Sequence, residues 1–215
     1  MTVSVKVCGL TSDEGLAAAI DAGARYVGFV FFPKSPRHVS PAQAAALAVQ
    51  VPMGVAKVGL FVNPDDATLT ATLEEVPLDM IQLHGDESPA RVAEVRALTG
   101  LPVIKAVGIS GPADLDQLWD YGLVADMLLI DAKPPQDAAL PGGNGLAFDW
   151  RLLAGRQILK PWLLAGGLTP ENVHEAIRLT RAQGVDVSSG VESAPGVKDP
   201  DRIRRFIARA TAPVL

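Results

Sequence analysis

Residues 3–14 read VSVKVCGLTSDE, and this stretch contains the unit from which the rest of the chain is built. The apolar residues at its start predict a short strand over Val3–Val7. The tetrapeptide Thr11-Ser12-Asp13-Glu14 has the spacing of a capping box, in which the Thr11 hydroxyl accepts from a free backbone N–H and Glu14 reaches back to the cap. The stretch therefore predicts a strand that is followed at once by a helix.

The same strand-then-helix unit recurs along the chain. Further helix starts are predicted at Ser40-Pro41, Asn63-Pro64, Ser88-Pro89, Gly111-Pro112, Asp149-Trp150, Thr169-Pro170 and Asp199-Pro200. Proline is tolerated at a first helical position because its missing N–H would be unpaired there anyway. A short apolar run precedes each start, and the later runs are Tyr26–Phe31, Ala56–Val62, Met80–Leu83, Val103–Val107, Met127–Ile130, Trp162–Ala165 and Val185–Val187. Runs rich in Val, Ile, Leu and Phe without clean alternation are typical of parallel strands covered on both faces.

Eight such units predict a closed (β/α)8 barrel, the TIM-barrel architecture of the α/β class, with residues 1–215 forming a single domain. The competing architecture is an open doubly wound sheet, which would normally show fewer units and a clearer glycine fingerprint after the first strand. The longest irregular piece, Asp131–Phe148, follows the sixth run. A loop of that length in a compact domain is usually functional or disordered.

The composition excludes several classes of protein. The chain of 215 residues is 48% apolar and has a net charge of −5, so it lacks the basic footprint of a nucleic-acid-binding protein. Its single cysteine excludes an internal disulfide and a cysteine-based zinc cluster. The sequence shows neither a signal peptide nor an apolar run of membrane-spanning length, which predicts a cytoplasmic protein without a membrane partner.

In a barrel of this kind the active site lies at the C-terminal ends of the strands. Gly166-Gly167 and Ser188-Ser189-Gly190 follow the seventh and eighth runs, where the fold often binds phosphate through backbone N–H groups. Tight turns are the alternative explanation for these glycines. Because both stretches occur at the two expected strand ends, we favour a phosphate site.

Cys8 and Asp131 are the candidate proton-transfer groups, at the ends of the first and sixth runs. Cys8 is either a buried small apolar residue or a nucleophile or general base, and in either functional role its thiol would need help to ionise. Asp131 is either a cap or an ion-pair partner of Lys133, or it is a carboxyl kept protonated by partial desolvation and able to act as an acid. Spacing alone leaves both alternatives open for each residue.

Other polar residues at predicted strand ends are candidates for binding. Arg37 lies in a loop with two prolines and could hold a carboxylate through two hydrogen bonds, with a solvated surface arginine as the alternative. Gln82 and His84 close the fourth run. His84 is the only histidine predicted at a strand end, and no convergent carboxylates accompany it, so no metal site is expected.

Eight motifs, each at a predicted strand end or in the loop that follows, cover nearly the whole chain in order. They are KVCGLT at 6–11, GFVFFPKSPRHVSP at 28–41, VGLFVN at 58–63, IQLHGDE at 81–87, LLIDAK at 128–133, GGNGLAFDW at 142–150, LAGGLTPENV at 164–173 and VDVSSGVESAPGVKD at 185–199. Taken together, they resemble the phosphoribosylanthranilate isomerase family of tryptophan biosynthesis.

The resemblance implies an Amadori rearrangement of N-(5-phosphoribosyl)anthranilate to 1-(2-carboxyphenylamino)-1-deoxyribulose 5-phosphate, without a cofactor, by a monomer or a homodimer. It implies that Asp131 is the general acid that protonates the furanose ring oxygen and that Cys8 is the base that removes the C2 proton. Arg37 would hold the anthranilate carboxylate, and Asp186 would orient neighbouring groups.

The resemblance also implies where the substrate's phosphate binds. Its backbone donors would surround Gly143, Gly145, Gly166, Gly167, Ser189 and Gly190. A small hydroxyl residue is expected between the second and third glycines of the sixth loop, where this chain has Asn144. The family pattern therefore leaves open whether the side chain at this position takes part in binding phosphate.

Three other functions are compatible with a phosphate-binding barrel. A ribulose-phosphate epimerase would bring metal-binding histidines at several strand ends, which this chain lacks. An indole-glycerol-phosphate synthase would bring a catalytic Lys/Glu set and a longer N-terminal extension. A non-catalytic barrel that only binds sugar phosphates would require neither Cys8 nor Asp131.

Overall fold

The computed structural model describes residues 3–133, 140–143 and 145–213. Eight parallel strands close into a barrel, in which each strand pairs with the next one along the chain and the eighth pairs with the first. They are β1 (Ser4–Cys8), β2 (Tyr26–Val30), β3 (Ala56–Phe61), β4 (Met80–Leu83), β5 (Val103–Ile109), β6 (Met127–Ala132), β7 (Trp162–Leu164) and β8 (Gly184–Val187). The predicted closed barrel is confirmed, and the open doubly wound sheet is excluded.

The predicted apolar runs locate every strand to within two residues. β5 and β6 each extend two residues beyond their predicted ends, because strand pairing continues past Gly108 and Asp131, which interrupt the apolar runs. Asp131 therefore belongs to β6 itself and pairs with Gly108 of β5. Cys8 is the last residue of β1 and pairs with Gly28 of β2. Both candidate proton-transfer groups are thus held by strand backbone and not by loops.

Among the described residues, seven α-helices cover the outside of the barrel. They are α1 (Asp13–Asp21), α2 (Pro41–Ala48), α3 (Asp66–Glu75), α4 (Pro89–Thr99), α5 (Gln117–Val124), α6 (Val173–Thr180) and α7 (Pro200–Thr211). The predicted caps Ser40, Ser88 and Asp199 are confirmed, since each accepts a hydrogen bond from a backbone N–H of the first turn. No helix in the described ranges combines the length and the apolar character needed to cross a membrane.

The predicted cap of α1 is wrong by one residue. Ser12, not Thr11, caps the helix, with its Oγ accepting from the backbone N–H of Gly15 at 3.2 Å. The Thr11 hydroxyl instead donates to the carbonyl oxygen of Gly196 at 3.4 Å. Because the Thr11 hydroxyl is bound in the loop at Gly196, it does not cap α1.

Two further predicted helix starts are too early in the sequence. α3 is capped by Asp65, because Asn63 adopts a left-handed backbone conformation (φ +48°) and its side-chain oxygen accepts from the N–H of Asp86. α6 begins after Asn172, whose side-chain oxygen accepts from the N–H of Thr169. In both places a loop hydrogen bond replaces the expected cap.

Three 3-10 helices and one hairpin complete the described structure. The predicted starts at Gly111-Pro112 and Asp149-Trp150 open only the 3-10 helices Pro112–Asp114 and Trp150–Leu153, and no α-helix lies between β6 and β7 among the described residues. The 3-10 helix Ser189–Val191 follows β8 and leads into an antiparallel hairpin of β9 (Glu192–Ala194) and β10 (Val197–Lys198). The sequence analysis did not predict this hairpin.

The strands carry apolar side chains on both faces, which produces two separate layers of core. Ile104 and Leu129 belong to a cluster that fills the barrel interior, whereas their sequence neighbours Val103 and Leu128 belong to the larger layer between strands and helices. Successive strand residues point to opposite faces, so this division follows from the backbone. The inner cluster forms a packed floor beneath the C-terminal ends of the strands.

Candidate active site

A cavity opens at the C-terminal ends of the strands, as the fold predicts. It encloses about 820 Å³, counting the part that is open to solvent. Every residue that the sequence analysis selected lines it, and these are Cys8, Arg37, Gln82, His84, Asp131, Gly143, Gly145, Gly166, Gly167, Asp186, Ser189 and Gly190. The barrel therefore gathers into one place groups that are spread over nearly the whole sequence.

Cys8 lies buried at the floor of this cavity, packed with Val30 and Leu60. Gly28 stands beside it in β2, and a Cβ at that position would lie only 3.0 Å from Cys8 Sγ. Burial raises the pKa of Cys8, and the positive charge of Lys6 opposes this rise without cancelling it. The resting thiol is therefore protonated near neutral pH, and it depends on nearby positive charge to become a base.

Lys6 precedes Cys8 by two positions and shares the inward face of β1. Its side chain is fully buried, and Nζ donates to Asp186 Oδ1 at 2.8 Å across the β1–β8 pair. Burial lowers the pKa of Lys6, but its surroundings, chiefly the negative charge of Asp186 and the hydrogen bond to it, outweigh burial and raise that pKa above its ordinary value. Lys6 therefore remains a positive charge next to the thiol.

Asp131 projects into the cavity from the end of β6. Its Oδ1 accepts from the backbone N–H of the next residue at 2.8 Å, and its Oδ2 lies 3.4 Å from His84 Nε2. Gln82 Nε2 lies 2.8 Å from His84 Nδ1, so three side chains from β4 to β6 form a row along the rim. The alternative prediction that Asp131 forms an ion pair with Lys133 is wrong, because Lys133 Nζ binds Asp114 Oδ1 at 2.7 Å.

Arg37 reaches the cavity from the loop after β2 and passes over Gly9, where a Cβ would lie 2.7 Å from Arg37 Cδ. Its Nε and Nη2 donate to the two carboxylate oxygens of Glu192 at 2.7 and 2.9 Å, and Nη2 also donates to the carbonyl oxygen of Gly143 at 3.3 Å. The residue is 6% exposed, so the alternative of a solvated surface arginine is wrong. Its binding of a carboxylate ligand stays a prediction.

The loops after β7 and β8 touch each other at the predicted phosphate site. A Cβ at Gly190 would collide with the carbonyl oxygen of Leu168, so only glycine allows this approach. The backbone N–H groups of Gly166, Gly167, Ser189 and Gly190 donate to no acceptor among the described residues. Unpaired N–H groups at one end of a cavity are suited to an anion. Asn144 lies outside the described residues, so the expectation about its side chain stays open.

Three buried charged residues near this cavity were missed by the sequence analysis: Lys6, Glu192 and Lys198. Lys6 stands between Val5 and Val7, and a lysine inside an apolar strand is a signal that could have found it. Glu192 and Lys198 occur in the last motif, but their short hairpin gives no periodic pattern.

Comparisons with known proteins bear on the identity of this site. Residues 5–209 match the family model described as N-(5'phosphoribosyl)anthranilate (PRA) isomerase. The N-(5'-phosphoribosyl)anthranilate isomerase of Paracoccus denitrificans (strain Pd 1222) is 85% identical over 215 residues, which is 100% of both chains. The crystal structure of phosphoribosyl anthranilate isomerase from Thermotoga maritima superimposes with a TM-score of 0.86 and 40% identity over 97% of this chain and 98% of that chain.

A further crystal structure of phosphoribosyl anthranilate isomerase was solved in complex with reduced 1-(o-carboxyphenylamino)-1-deoxyribulose 5-phosphate. It superimposes with a TM-score of 0.82 and 37% identity over 97% of this chain and 98% of that chain. The family match over residues 5–209 includes every cavity residue named above, so it extends from the barrel scaffold to the site. The chain is an isomerase and belongs to the N-(5'-phosphoribosyl)anthranilate isomerase family.

Proposed function

We propose that residues 1–215 form one catalytic domain that converts N-(5-phosphoribosyl)anthranilate by an Amadori rearrangement in tryptophan biosynthesis, as a monomer or a homodimer. One observation carries the proposal: Cys8 at the end of β1 and Asp131 at the end of β6 line the same cavity. These strands are separated by β7 and β8 around the closed barrel, so the two groups approach a bound sugar from different directions. The reaction requires proton transfers only, and the proposal includes no cofactor.

In the first step Asp131, in its protonated form, donates a proton to the furanose ring oxygen. The bond between C1 and this oxygen breaks, the ring opens, and the nitrogen lone pair forms the C=N bond of a protonated Schiff base. His84 Nε2 lies 3.4 Å from Oδ2 and can stabilise the carboxylate that this step leaves. General acid catalysis of this kind contributes about 10²–10⁴-fold to a rate.

In the second step the Cys8 thiolate removes the proton from C2. The electron pair of the C–H bond forms the C1=C2 double bond of an enolamine, and the C=N pair returns to nitrogen. Tautomerisation moves one proton from the C2 hydroxyl to C1 and gives the ketone. The site resets when the proton on sulfur passes back to Asp131 through solvent. A free thiol base fits a reducing compartment, in agreement with the predicted cytoplasmic location.

Two anionic groups of the substrate would fix its orientation. Arg37, which contacts the cavity loop at Gly143, would bind the anthranilate carboxylate, and the unpaired N–H groups of the β7 and β8 loops would bind the phosphate. Holding a substrate at both ends restricts C2–H to the direction of Cys8 Sγ, and such positioning is itself a large part of a catalysed rate. The solved family member with a reduced product analogue supports this class of substrate.

The assay follows the loss of phosphoribosylanthranilate fluorescence in the purified protein. Cys8→Ala and Asp131→Asn are each expected to lower kcat by about 10²-fold or more, because each removes a proton-transfer group. Neither substitution removes a proposed anion contact, so the affinity for the reduced product should stay close to that of the wild type.

Asp116→Asn is the matched control for Asp131→Asn. Asp116 is exposed next to the start of α5 and its side chain makes no capping hydrogen bond, so turnover should not change. Near-normal turnover in the Cys8 or Asp131 variant would remove that residue from the mechanism. A wild-type protein that binds the reduced product but does not turn over the substrate would instead be a non-catalytic barrel.

A further inference from the structure

The hairpin β9–β10 places two buried charged side chains next to Arg37. Glu192 and Lys198 are register partners in this hairpin, and their side chains are 4% and 1% exposed. Glu192 Oε1 lies 2.7 Å from both Arg37 Nε and Lys198 Nζ, while Oε2 accepts from Arg37 Nη2 at 2.9 Å. One carboxylate thus joins a guanidinium and an ammonium group in a buried cluster of three residues.

This arrangement leaves Nη1 of the guanidinium available to another anion, since Nη1 donates to no acceptor among the described residues. Glu192 occupies the edge formed by Nε and Nη2. The other edge faces the loop at Gly143, since Nη2 donates to the Gly143 carbonyl oxygen at 3.3 Å and a Cβ on Gly143 would lie 2.6 Å from Nη1. That loop lines the cavity, so a carboxylate in the cavity can accept from Nη1, and it gains a second parallel hydrogen bond from Nη2 where it displaces the Gly143 carbonyl oxygen.

Lys198 uses its three N–H groups inside the protein. Nζ donates to Glu192 Oε1 at 2.7 Å, to the carbonyl oxygen of Ser188 at 3.0 Å and to Ser188 Oγ at 3.2 Å. Ser188 Oγ donates in turn to the backbone carbonyl of Cys8 at 3.1 Å. A lysine with all its donors engaged acts on a ligand through its neighbours and not by direct contact.

The charges of the cluster explain why a lysine stands at this position. Arg37 and Glu192 alone would form a neutral pair, which attracts a second carboxylate only weakly. Burial lowers the pKa of Lys198, and the negative charge of Glu192 opposes this fall without cancelling it. In its protonated form Lys198 brings the cluster to a net charge of one positive unit. Burial raises the pKa of Glu192, but its contacts with Arg37 and Lys198 outweigh burial and lower that pKa below the ordinary value. Glu192 therefore stays ionised, and an uncompensated positive charge in a buried site acts strongly on an anion.

We propose that Glu192 and Lys198 are positioning residues for the carboxylate of the substrate and that they act through Arg37. Glu192 holds the guanidinium with Nη1 toward the cavity loop. Lys198 neutralises Glu192, so that Arg37 keeps its attraction for an incoming anion. The inference deepens the proposed function and rests on it, because it needs a substrate that carries a carboxylate as well as a phosphate.

The test compares the affinities of two ligands by calorimetry. One is reduced 1-(o-carboxyphenylamino)-1-deoxyribulose 5-phosphate, and the other is the same compound without the carboxylate. Glu192→Gln and Lys198→Met are each expected to weaken the carboxylate-bearing ligand by about 10-fold or more, the size of a lost charge-assisted contact. The affinity for the carboxylate-free ligand should not change, because its phosphate contacts are untouched.

An Arg37→Met background separates positioning from a general structural effect. In that background neither substitution should weaken the carboxylate-bearing ligand further, because the group through which both act is gone. Glu87→Gln is the matched control, since Glu87 forms a buried ion pair with Lys105 at 2.7 Å and has no contact with Arg37. It should lower thermal stability without discriminating between the two ligands.

Equal weakening of both ligands, or unchanged binding of the carboxylate-bearing one, would overturn the inference. If Lys198→Met does not fold, Lys198→Gln replaces it, because the amide can still bind Ser188 while the charge is absent. Turnover of the wild type separates the two proposals. An inactive wild type refutes the proposed function, whereas an active wild type whose variants do not discriminate refutes only the positioning role.

Discussion

Cys8 is subject to opposing electrostatic effects from its surroundings. Burial raises the pKa of its thiol and so favours the neutral form, while the charge of Lys6 favours the thiolate. Asp186 raises the pKa of Cys8 through its negative charge and also binds Lys6 at 2.8 Å. The fraction of thiolate therefore depends on the Lys6–Asp186 pair, and in the proposed mechanism the rate of C2 deprotonation depends on it too.

Lys6→Met and Asp186→Asn are expected to shift the pH dependence of kcat/KM in opposite directions. Lys6 lowers the pKa of Cys8, so its removal moves the acid limb of the profile to higher pH and reduces activity near neutrality. Asp186 raises the pKa of Cys8, so its removal moves the acid limb to lower pH. Steady-state kinetics across pH measure both shifts, and the ultraviolet absorbance of the single cysteine's thiolate checks them. Shifts of the same sign would show that the pair does not control Cys8.

The same residues show what the sequence reveals at this scale and what it does not. The position of Cys8 and Asp131 in the cavity could be predicted, because each is a polar or reactive residue at the end of an apolar run. Lys6 could not be assigned in the same way, because its partner Asp186 lies 180 positions away in the sequence. The role of a charged residue inside an apolar run can be assigned only when the fold shows which opposite charge lies next to it.

At the scale of elements, strands were predicted more accurately than helix ends. A buried parallel strand consists mostly of apolar residues, so it can be recognised from its own sequence alone. A helix cap depends on which partner a hydroxyl or an amide finds, and Thr11 and Asn63 find theirs in other loops. The hairpin β9–β10 escaped prediction because strands of three and two residues are too short to show a period.

The contact between the β7 and β8 loops leads to a prediction about phosphate binding. Gly190→Ala is expected to raise KM for the substrate, and the inhibition constant of inorganic phosphate, by about 10-fold or more, because the added Cβ forces the loops apart and the backbone donors no longer converge. Steady-state kinetics with phosphate as the inhibitor measure both constants. Ser189→Ala is the companion variant, and its effect should be much smaller because every backbone N–H remains. Equal losses in the two variants would mean that the Ser189 hydroxyl, and not the backbone, binds phosphate.

Across the whole molecule, stability and chemistry occupy different layers of the barrel. The apolar interior cluster lies between the strands, while the proposed acid, base and anion contacts lie at the C-terminal rim above it. This separation follows from the closed parallel barrel, because inward side chains from the middle of the strands form the floor, whereas residues near or just beyond the strand ends line the rim. The eight strand-then-helix units in the sequence are enough to predict this separation into two layers. The ion pairs of the rim cannot be predicted from those units.

Ile104→Ala tests whether the two layers are independent. Ile104 is fully buried in the interior cluster on β5, a strand that carries no proposed proton-transfer group. The substitution leaves a cavity and should lower the free energy of unfolding by about 2–5 kcal/mol, as measured by urea denaturation. Leu123→Ala, at a position 64% exposed on α5, should change it by less than about 0.5 kcal/mol. Where both variants are fully folded, kcat should match the wild type, because the rim groups are held by their own ion pairs. A large loss of kcat in folded Ile104→Ala would mean that floor packing sets the geometry of the rim.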